Sequence, residues 1–394
     1  MDKVHYFDNA ATTYPKPREV AQAMQKALLY GCANAGRGSY DMSVNAYKDT
    51  MILRDKLLEM AGSSDGSSVI LTPSATIAFN MLLGGMHLSK ESVVYVSPFE
   101  HNAVMRVLYG LQQKVKFTIK QLPVDKKTLA PDMDRIEYEF CRQKPVLVCI
   151  THVSNVTGYM FPFKDVFSIA KKYNSSAVTV CDGCQALGLI EKPLYGDDVT
   201  DYYIFAGHKT LYGPFGIGGI ICSTPYSVSI LKDKEKYTPY ICGGTGSDSL
   251  NMEMPQESPD MLEAGSINIL AVEGLLAALN VYKEHFVQEK EMTDKLAGGL
   301  ENIPGVRLYL PGDRDRHISI VSFNIEGYRS SETGTILNDE YGIAVRTGYH
   351  CVPLVHDYLK DGDYYGTVRA SVGRYTTDAE ISYFLNAIEE ISQD

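Results

Sequence analysis

From about residue 68 to residue 222, short apolar runs alternate with longer amphipathic stretches. SVILT, SVVYVS, KFTIKQ, PVLVCIT, AVTVCD and DYYIFA have strand length and are rich in Val and Ile, and several are apolar throughout. Strands that read apolar on both sides are covered on both faces, the pattern of a mainly parallel sheet. Between most of them lie ATIAFNMLLGGM, HNAVMRVLYGLQQ, PDMDRIEYEFCRQ and KDVFSIAKKY, whose apolar residues recur at helical spacing. Strand alternating with helix predicts an α/β fold, a mainly parallel sheet with helices on both faces. Upstream, PREVAQAMQKALLYG and NAYKDTMILRDKLLEMAG predict two further helices.

After residue 222 the texture changes. CGGTGSDSLNMEMPQESPDMLEAGS is a loop rich in Gly, Ser and Pro, and one long helix is predicted over 267–286. VRLYL, HISIVSFNI, IAVRTG and GTVRASV then carry strand signals, and DAEISYFLNAIEEIS closes the chain as a helix. This predicts a smaller α+β C-terminal domain. The expected division is an N-terminal segment over 1–20 packing near the active site and the small domain, a large domain over 21–260, and a small domain over 261–394 that includes the linking helix.

Composition narrows the function classes. With 45% hydrophobic and 22% charged residues the 394-residue chain fits an ordinary soluble globular protein. It has 37 Lys and Arg against 48 Asp and Glu, with no basic face of the kind that tracks nucleic acid. The start, MDKVHYFDNAATT, lacks the apolar core of a signal peptide, and ILAVEGLLAALNVY is too short to span a bilayer. A cytoplasmic location is expected, with the eight scattered cysteines as free thiols.

In sheets of this kind ligands sit at the carboxyl ends of strands. TPSAT at 72–76 ends a strand and opens a helix, where free N–H groups bind anions, phosphate especially. That alone is a weak sign, because Ser and Thr cap most helices. THVSNVTG places Asn155 past one strand, and VCDGCQALG places Asp182 and Gln185 past the next. A carboxylate at the end of a buried strand is costly unless it meets a cation; the plainer alternative is an Asp capping a turn. Cys181 and Cys184 have CxxC spacing, but the first lies in the strand and no second pair accompanies them, so neither a metal nor a redox site is expected.

FAGHKTLYGPFGIGG carries Lys209 at another strand end. It is not a P-loop, since Tyr203 and His208 stand where that motif needs glycines, and GIGG leads into a strand rather than following one. An amine in a partly desolvated pocket is a nucleophile toward aldehydes. Pyridoxal phosphate is an aldehyde with a phosphate and a basic ring nitrogen; it requires a lysine, an acid facing that nitrogen and a phosphate cup. Lys209, Asp182 and the Thr76 turn supply all three at consecutive strand ends.

YFDNAATTYPKP, ANAGRGSY, EHNAV, THVSNVTG, DGCQALG, GHKTLYGPFGIG, GGTGSDS, EAGSIN, VRTGYHC and RASVGRYTT occur in that order along nearly the whole chain. In this ordered set the sequence resembles the class V aminotransferase group of fold-type I pyridoxal-phosphate enzymes, and within it the cysteine desulfurases. The resemblance implies that Lys209 condenses with the cofactor, that Asp182 faces the pyridinium and that His101 stacks on the ring and carries protons. It further implies that Asn155 and Gln185 bond the phenolic oxygen, and that Ala75, Thr76 and His208 hold the phosphate. Thr245 would reach the phosphate of a neighbouring subunit, in a homodimer with composite sites. Arg369 would clamp the substrate carboxylate, with Asn9, Ala10 and Ala11 bordering it and Asn155 nearby. Cys351 would take the substrate sulfur as a persulfide, helped by the charge of His350 or nearby cations, leaving alanine and passing sulfur to an acceptor protein. Three positions depart from the family pattern: Ala206 where a serine is common, Tyr349 where a second histidine is common, and Arg374, expected near the substrate carboxylate. Selenocysteine lyase, cysteine sulfinate desulfinase, another lyase, a class V aminotransferase and a catalytically inactive sulfur-carrier or scaffold subunit remain alternatives.

Overall fold

The structure is a computed structural model that describes residues 4–36, 38–63, 65–247 and 249–393. Residues 1–3 of the expected N-terminal segment, Arg37 of ANAGRGSY and Asp248 of GGTGSDS lie outside the described residues. The chain runs through β1 (His5–Tyr6), α1 (Arg18–Tyr30), α2 (Asp41–Ala61), β2 (Ser68–Thr72), α3 (Ala75–Gly85), β3 (Val93–Val96), α4 (Asn102–Val115), β4 (Thr118–Gln121), α5 (Met133–Arg142), β5 (Leu147–Thr151), α6 (Phe163–Tyr173), β6 (Val178–Asp182), β7 (Tyr202–Ala206) and β8 (Gly218–Cys222). It continues through α7 (Pro225–Lys232), α8 (Ile269–Asn280), α9 (Phe286–Glu301), β9 (Val306–Tyr309), β10 (Ile320–Ile325), α10 (Ser330–Tyr341), β11 (Ile343–Ala344), β12 (Arg346–Gly348), α11 (His356–Leu359), β13 (Thr367–Ser371) and α12 (Asp378–Gln393).

Seven strands form the large sheet in the order β2-β8-β7-β6-β5-β3-β4. Neighbours are parallel except around β8, which runs against both β2 and β7. Successive side chains alternate between faces, so each strand feeds two cores. Ile70, Val94, Cys149, Val180, Ile204 and Ile220 pack on one face. Leu71, Tyr95, Ile150, Cys181, Phe205 and Ile221 pack on the other. Continuous apolar runs were therefore the right signal for strands covered twice. The register sets Thr151 opposite Asp182 and Asp182 opposite Ile204, so β5, β6 and β7 end nearly level.

The smaller sheet is antiparallel, β12-β13-β10-β9, with α9, α10 and α12 against it. The helix predicted over 267–286 ends instead at Asn280. Beyond Val281 the run YKEH offers no apolar spacing, and its side chains fix a turn: Tyr282 donates to the Gly188 carbonyl at 2.8 Å, and His285 Nδ1 pairs with the Lys283 carbonyl at 2.9 Å. Phe286 then opens α9, a helix not expected from the sequence because its buried Glu289 and Thr293 interrupt the apolar pattern. The expected strand IAVRTG is split into β11 and β12, which serve different sheets.

The N-terminal segment is a strap. β1 pairs with β11, and Ser371 N on the small sheet donates to the Phe7 carbonyl at 2.7 Å. A few residues on, Thr12 and Thr13 donate to the His208 and Lys209 carbonyls, each at 2.9 Å, in the turn after β7 of the large sheet.

A buried bidentate pair holds α2 to the loop before α8. Arg54 Nη1 and Nη2 meet Glu263 Oε1 and Oε2 at 2.7 and 2.8 Å, and Leu71 N donates to the same carboxylate at 2.6 Å. Removing one partner strands the other charge in the interior, so Arg54→Ala is expected to lower unfolding free energy by about 3 kcal/mol. A urea midpoint equal to that of the parent protein would contradict this.

Candidate active site

Eleven of the residues expected to hold cofactor or substrate line one cavity of about 220 Å³ at the carboxyl edge of the large sheet: Ala10, Ala11, Ala75, Thr76, His101, Asn155, Asp182, Gln185, His208, Lys209 and Arg369. They come from the strap, the ends of five strands and β13 of the small sheet, and local rules place each. Ser74 caps α3 by accepting from Ile77 N at 3.3 Å, which turns the first-turn amides of Ala75 and Thr76 outward. Gly218 allows this approach, since a Cβ there would sit 2.9 Å from Ala75 N and 2.8 Å from the Phe205 carbonyl. His101 caps α4 with its own ring, Nδ1 accepting from Ala103 N at 3.0 Å, so the remaining proton sits on Nε2. Asp182 ends β6 with Oδ1 accepting from Cys184 N at 3.0 Å. Gly183 follows because the Tyr203 ring fills the space a side chain would need. Lys209 sits in a tight turn after β7, closed by Gly207 N to the Ile217 carbonyl at 3.0 Å and Tyr212 N to the Lys209 carbonyl at 2.8 Å.

The donor set fits a cofactor that joins an anion, a carbonyl and a basic ring nitrogen. Helix-start amides serve the anion, and His208 Nδ1 is buried with no partner among the described residues. The side chains of Lys209, Arg346 and Arg369 face the cavity with Asp182 as its acid, so cationic charge exceeds anionic.

The Aminotransferase class-V family model matches residues 5–384. The chain belongs to this family. Among relatives, a probable cysteine desulfurase of Methanothermobacter thermautotrophicus is 29% identical, aligned over 98% of this chain and 95% of its own. Cysteine desulfurase CsdA of Escherichia coli is 28% identical, over 98% of this chain and 93% of its own. The apo structure of a cysteine desulfurase from Thermococcus onnurineus superposes with a TM-score of 0.87 at 27% identity, covering 99% of this chain and 95% of that one.

What surrounds the strand-end groups sets their charge. Burial, then the nearby Lys209 ammonium, lowers His101 to about 4, leaving a neutral ring. The same two causes, with Lys16 added, take His208 to about 4. Arg369 is lowered by burial; its Nη1 donates to the Asn155 carbonyl at 2.9 Å and its Nη2 to Asp8 Oδ1 at 2.8 Å. Asn155 Nδ2 and Gln185 Nε2 are both engaged, on the His350 carbonyl at 3.0 Å and the Ala10 carbonyl at 2.7 Å.

Three expectations meet a different arrangement. Asn9 lies behind the lining, donating to the Ser371 carbonyl at 3.0 Å and accepting from Tyr14 N at 3.2 Å, so it shapes the strap. Thr245 sits apart from this chain's cavity, on the loop between α7 and α8, which leaves its expected role at a neighbouring subunit's phosphate untouched. Arg374 is not near Arg369's ligand face: its guanidinium stacks 4.2 Å over Tyr212 and 4.8 Å over Tyr375. Of the two sources of charge expected beside Cys351, His350 or nearby cations, the first is absent, because burial and then Arg369 hold the His350 pKa well below the usual value. Arg346 takes that place, with Nη2 3.9 Å from Cys351 Sγ. Cys351 stands outside the lining but next to it, and both it and His350 are left-handed, at φ 60° and 48°. Two such residues in succession are strained by about 1–3 kcal/mol each, and the bonds from Asn102 N to the Cys351 carbonyl at 2.7 Å and from Asn155 Nδ2 to the His350 carbonyl hold them.

The sequence reading passed over Arg346, Ser74 and Glu100. Arg346 and Glu100 lay inside quoted motifs, VRTGYHC and EHNAV, but a charge in an apolar run gives no sign of what it faces. Glu100 is wholly buried behind His101, accepting on Oε1 from Ser97 Oγ and Thr151 N, each at 2.6 Å, while Oε2 has no partner among the described residues. Burial raises its pKa from 4.5 to about 8, with Asp182 adding to the effect. The folded protein thus keeps a proton that the unfolded chain releases. This contribution is fully present below about pH 4.5 and is lost as pH rises toward 8. Melting temperature is expected to fall across that window less steeply in Glu100→Gln than in the parent; parallel curves would contradict the assignment.

Proposed function

We propose that this protein is a pyridoxal-phosphate-dependent cysteine desulfurase that converts L-cysteine to L-alanine and holds the released sulfur as a persulfide on Cys351. The observation that carries the reading is that one cavity is lined by Lys209 and Asp182 from neighbouring strand ends, with Cys351 and its Arg346 partner beside it. The desulfurase relatives and the desulfurase structure that match almost end to end support the same reading.

The cofactor, when bound, supplies an aldehyde for an amine and a ring that draws electrons from the substrate α-carbon. Lys209 would hold the aldehyde carbon, and Asp182 would keep the ring nitrogen protonated. His101, neutral and protonated on Nε2, would stack on the ring and carry a proton. The α3 amides of Ala75 and Thr76, with His208, would hold the phosphate, and Asn155 and Gln185 would serve the phenolic oxygen. Ala206 contributes no hydroxyl there, so more of the phosphate falls to these groups. Arg369 receives the substrate carboxylate beside Ala10 and Ala11. Cys351 sulfur then bonds the substrate sulfur as the carbon–sulfur bond breaks; the bond's electron pair stays on carbon, which takes up a proton to give alanine.

A homodimer completes the site in this reading. Leu28, Leu29 and Tyr30 of α1 and Tyr47, Met51 and Ile52 of α2 are left exposed by the single chain, as are Leu250 and Met252 on the loop that carries Thr245. That loop would bring Thr245 to the partner's phosphate. No helix among the described residues is long and apolar enough to cross a membrane. A cytoplasmic enzyme that passes its sulfur to an acceptor protein fits this picture.

Lys209→Ala is expected to lose the visible absorbance of the reconstituted protein; a yellow variant contradicts the role of Lys209. Cys351→Ala is expected to release sulfide from L-cysteine at least about 100-fold more slowly, while L-cysteine still perturbs the visible spectrum. Full activity would make the protein a general lyase, and amino-acid formation from an added keto acid at a comparable rate would make it an aminotransferase.

A further inference from the structure

Arg369 is a buried cation, and what compensates it is not the substrate. Its side chain is 2% exposed, while its partner Asp8 is 21% exposed. The pair is monodentate: Nη2 meets Asp8 Oδ1 at 2.8 Å, Nη1 is taken by the Asn155 carbonyl at 2.9 Å, and Nε is buried with no partner among the described residues. A guanidinium offers two bidentate edges to a carboxylate, and both include Nη2. The nitrogen that Asp8 meets is therefore the one an incoming carboxylate must also reach, with one of its two hydrogens already taken by a like charge. Asp8 is delivered there by the strap, which bridges to Ser371 two residues along β13 from Arg369.

We infer that Asp8 is a resident counter-ion that the substrate carboxylate displaces from Arg369, which makes Asp8 a specificity-determining residue. This rests on the reading that Arg369 receives that carboxylate. The exchange works in two ways. With no substrate, Asp8 offsets the cost of an unpaired buried charge. With substrate, a ligand that takes Nη2 and a second nitrogen together satisfies more donors than Asp8 does, whereas a ligand without a carboxylate leaves the pair closed. Selection for an α-carboxylate is thus obtained by competition, at a cost in affinity.

The test uses the cofactor-loaded protein and propionate, a carboxylate with no amine or thiol. In calorimetric titrations Asp8→Asn keeps the oxygen that accepts from Nη2 but not its charge, and is expected to bind propionate about tenfold more tightly and to show a KM for L-cysteine lower by a similar factor. Cysteamine, which has the amine and thiol but no carboxylate, is expected to show no such gain. Unchanged or weaker propionate binding in Asp8→Asn overturns the inference. Should that variant fold poorly, a crystal of the parent protein soaked in propionate decides the matter. A carboxylate on Arg369 with Asp8 moved away supports the exchange, and one bound beside an intact Asp8–Arg369 contact overturns it. Propionate binding that Arg369→Lys leaves unaltered would instead overturn the assignment of Arg369 itself.

Discussion

The level register of β5, β6 and β7 is the constraint on which the rest depends. Because Thr151, Asp182 and Ile204 lie side by side across three parallel strands, the residues that follow them leave the sheet along one edge. Asn155, Asp182 and Lys209 then meet in one cavity with no long loop to place them. A slip of one residue would turn Asp182 into the core, where its charge would have no compensation. The two packed faces prevent that slip, since Cys181 and Val180 each fill a different core.

The second layer of the design joins two sheets through charge. Arg369 and Arg346 come from the small antiparallel sheet, yet both line the cavity of the large one. The strap pins them there: its backbone pairs with β11 and Ser371, and its threonines and Lys16 bond the turn that carries Lys209. Lys16 reaches the His208 carbonyl through a half-buried ammonium, and burial takes its pKa down to about 7. The site is thus held from both sides by groups that never line it.

Much of this was legible in the residues. Strands covered on both faces read as continuous apolar runs, and the chemistry at their ends could be read from position: SVILT ends at the Thr76 turn, AVTVCD at Asp182 and DYYIFA before Lys209. The misses have a common physical origin, because they depend on what a side chain faces rather than where it sits in the chain. His350 sits beside the sulfur in sequence, yet burial strips its charge, and Arg346, five residues earlier, is the cation that points at Cys351. Arg374 follows Gly373 on the strand end that carries Arg369 but turns to stack on tyrosines. The helix break after Asn280 was hidden because α8 is apolar enough to suggest that it runs on.

The central claim is that Lys209, opposite Asp182, is the amine that holds the coenzyme aldehyde. Borohydride reduction of the reconstituted protein, followed by digestion and mass spectrometry, tests it most directly, because reduction fixes the coenzyme on whichever amine carries it. The account predicts one labelled peptide, modified at Lys209. A label on Lys16, whose lowered pKa makes it the rival amine beside the same turn, or on any other lysine, would contradict it.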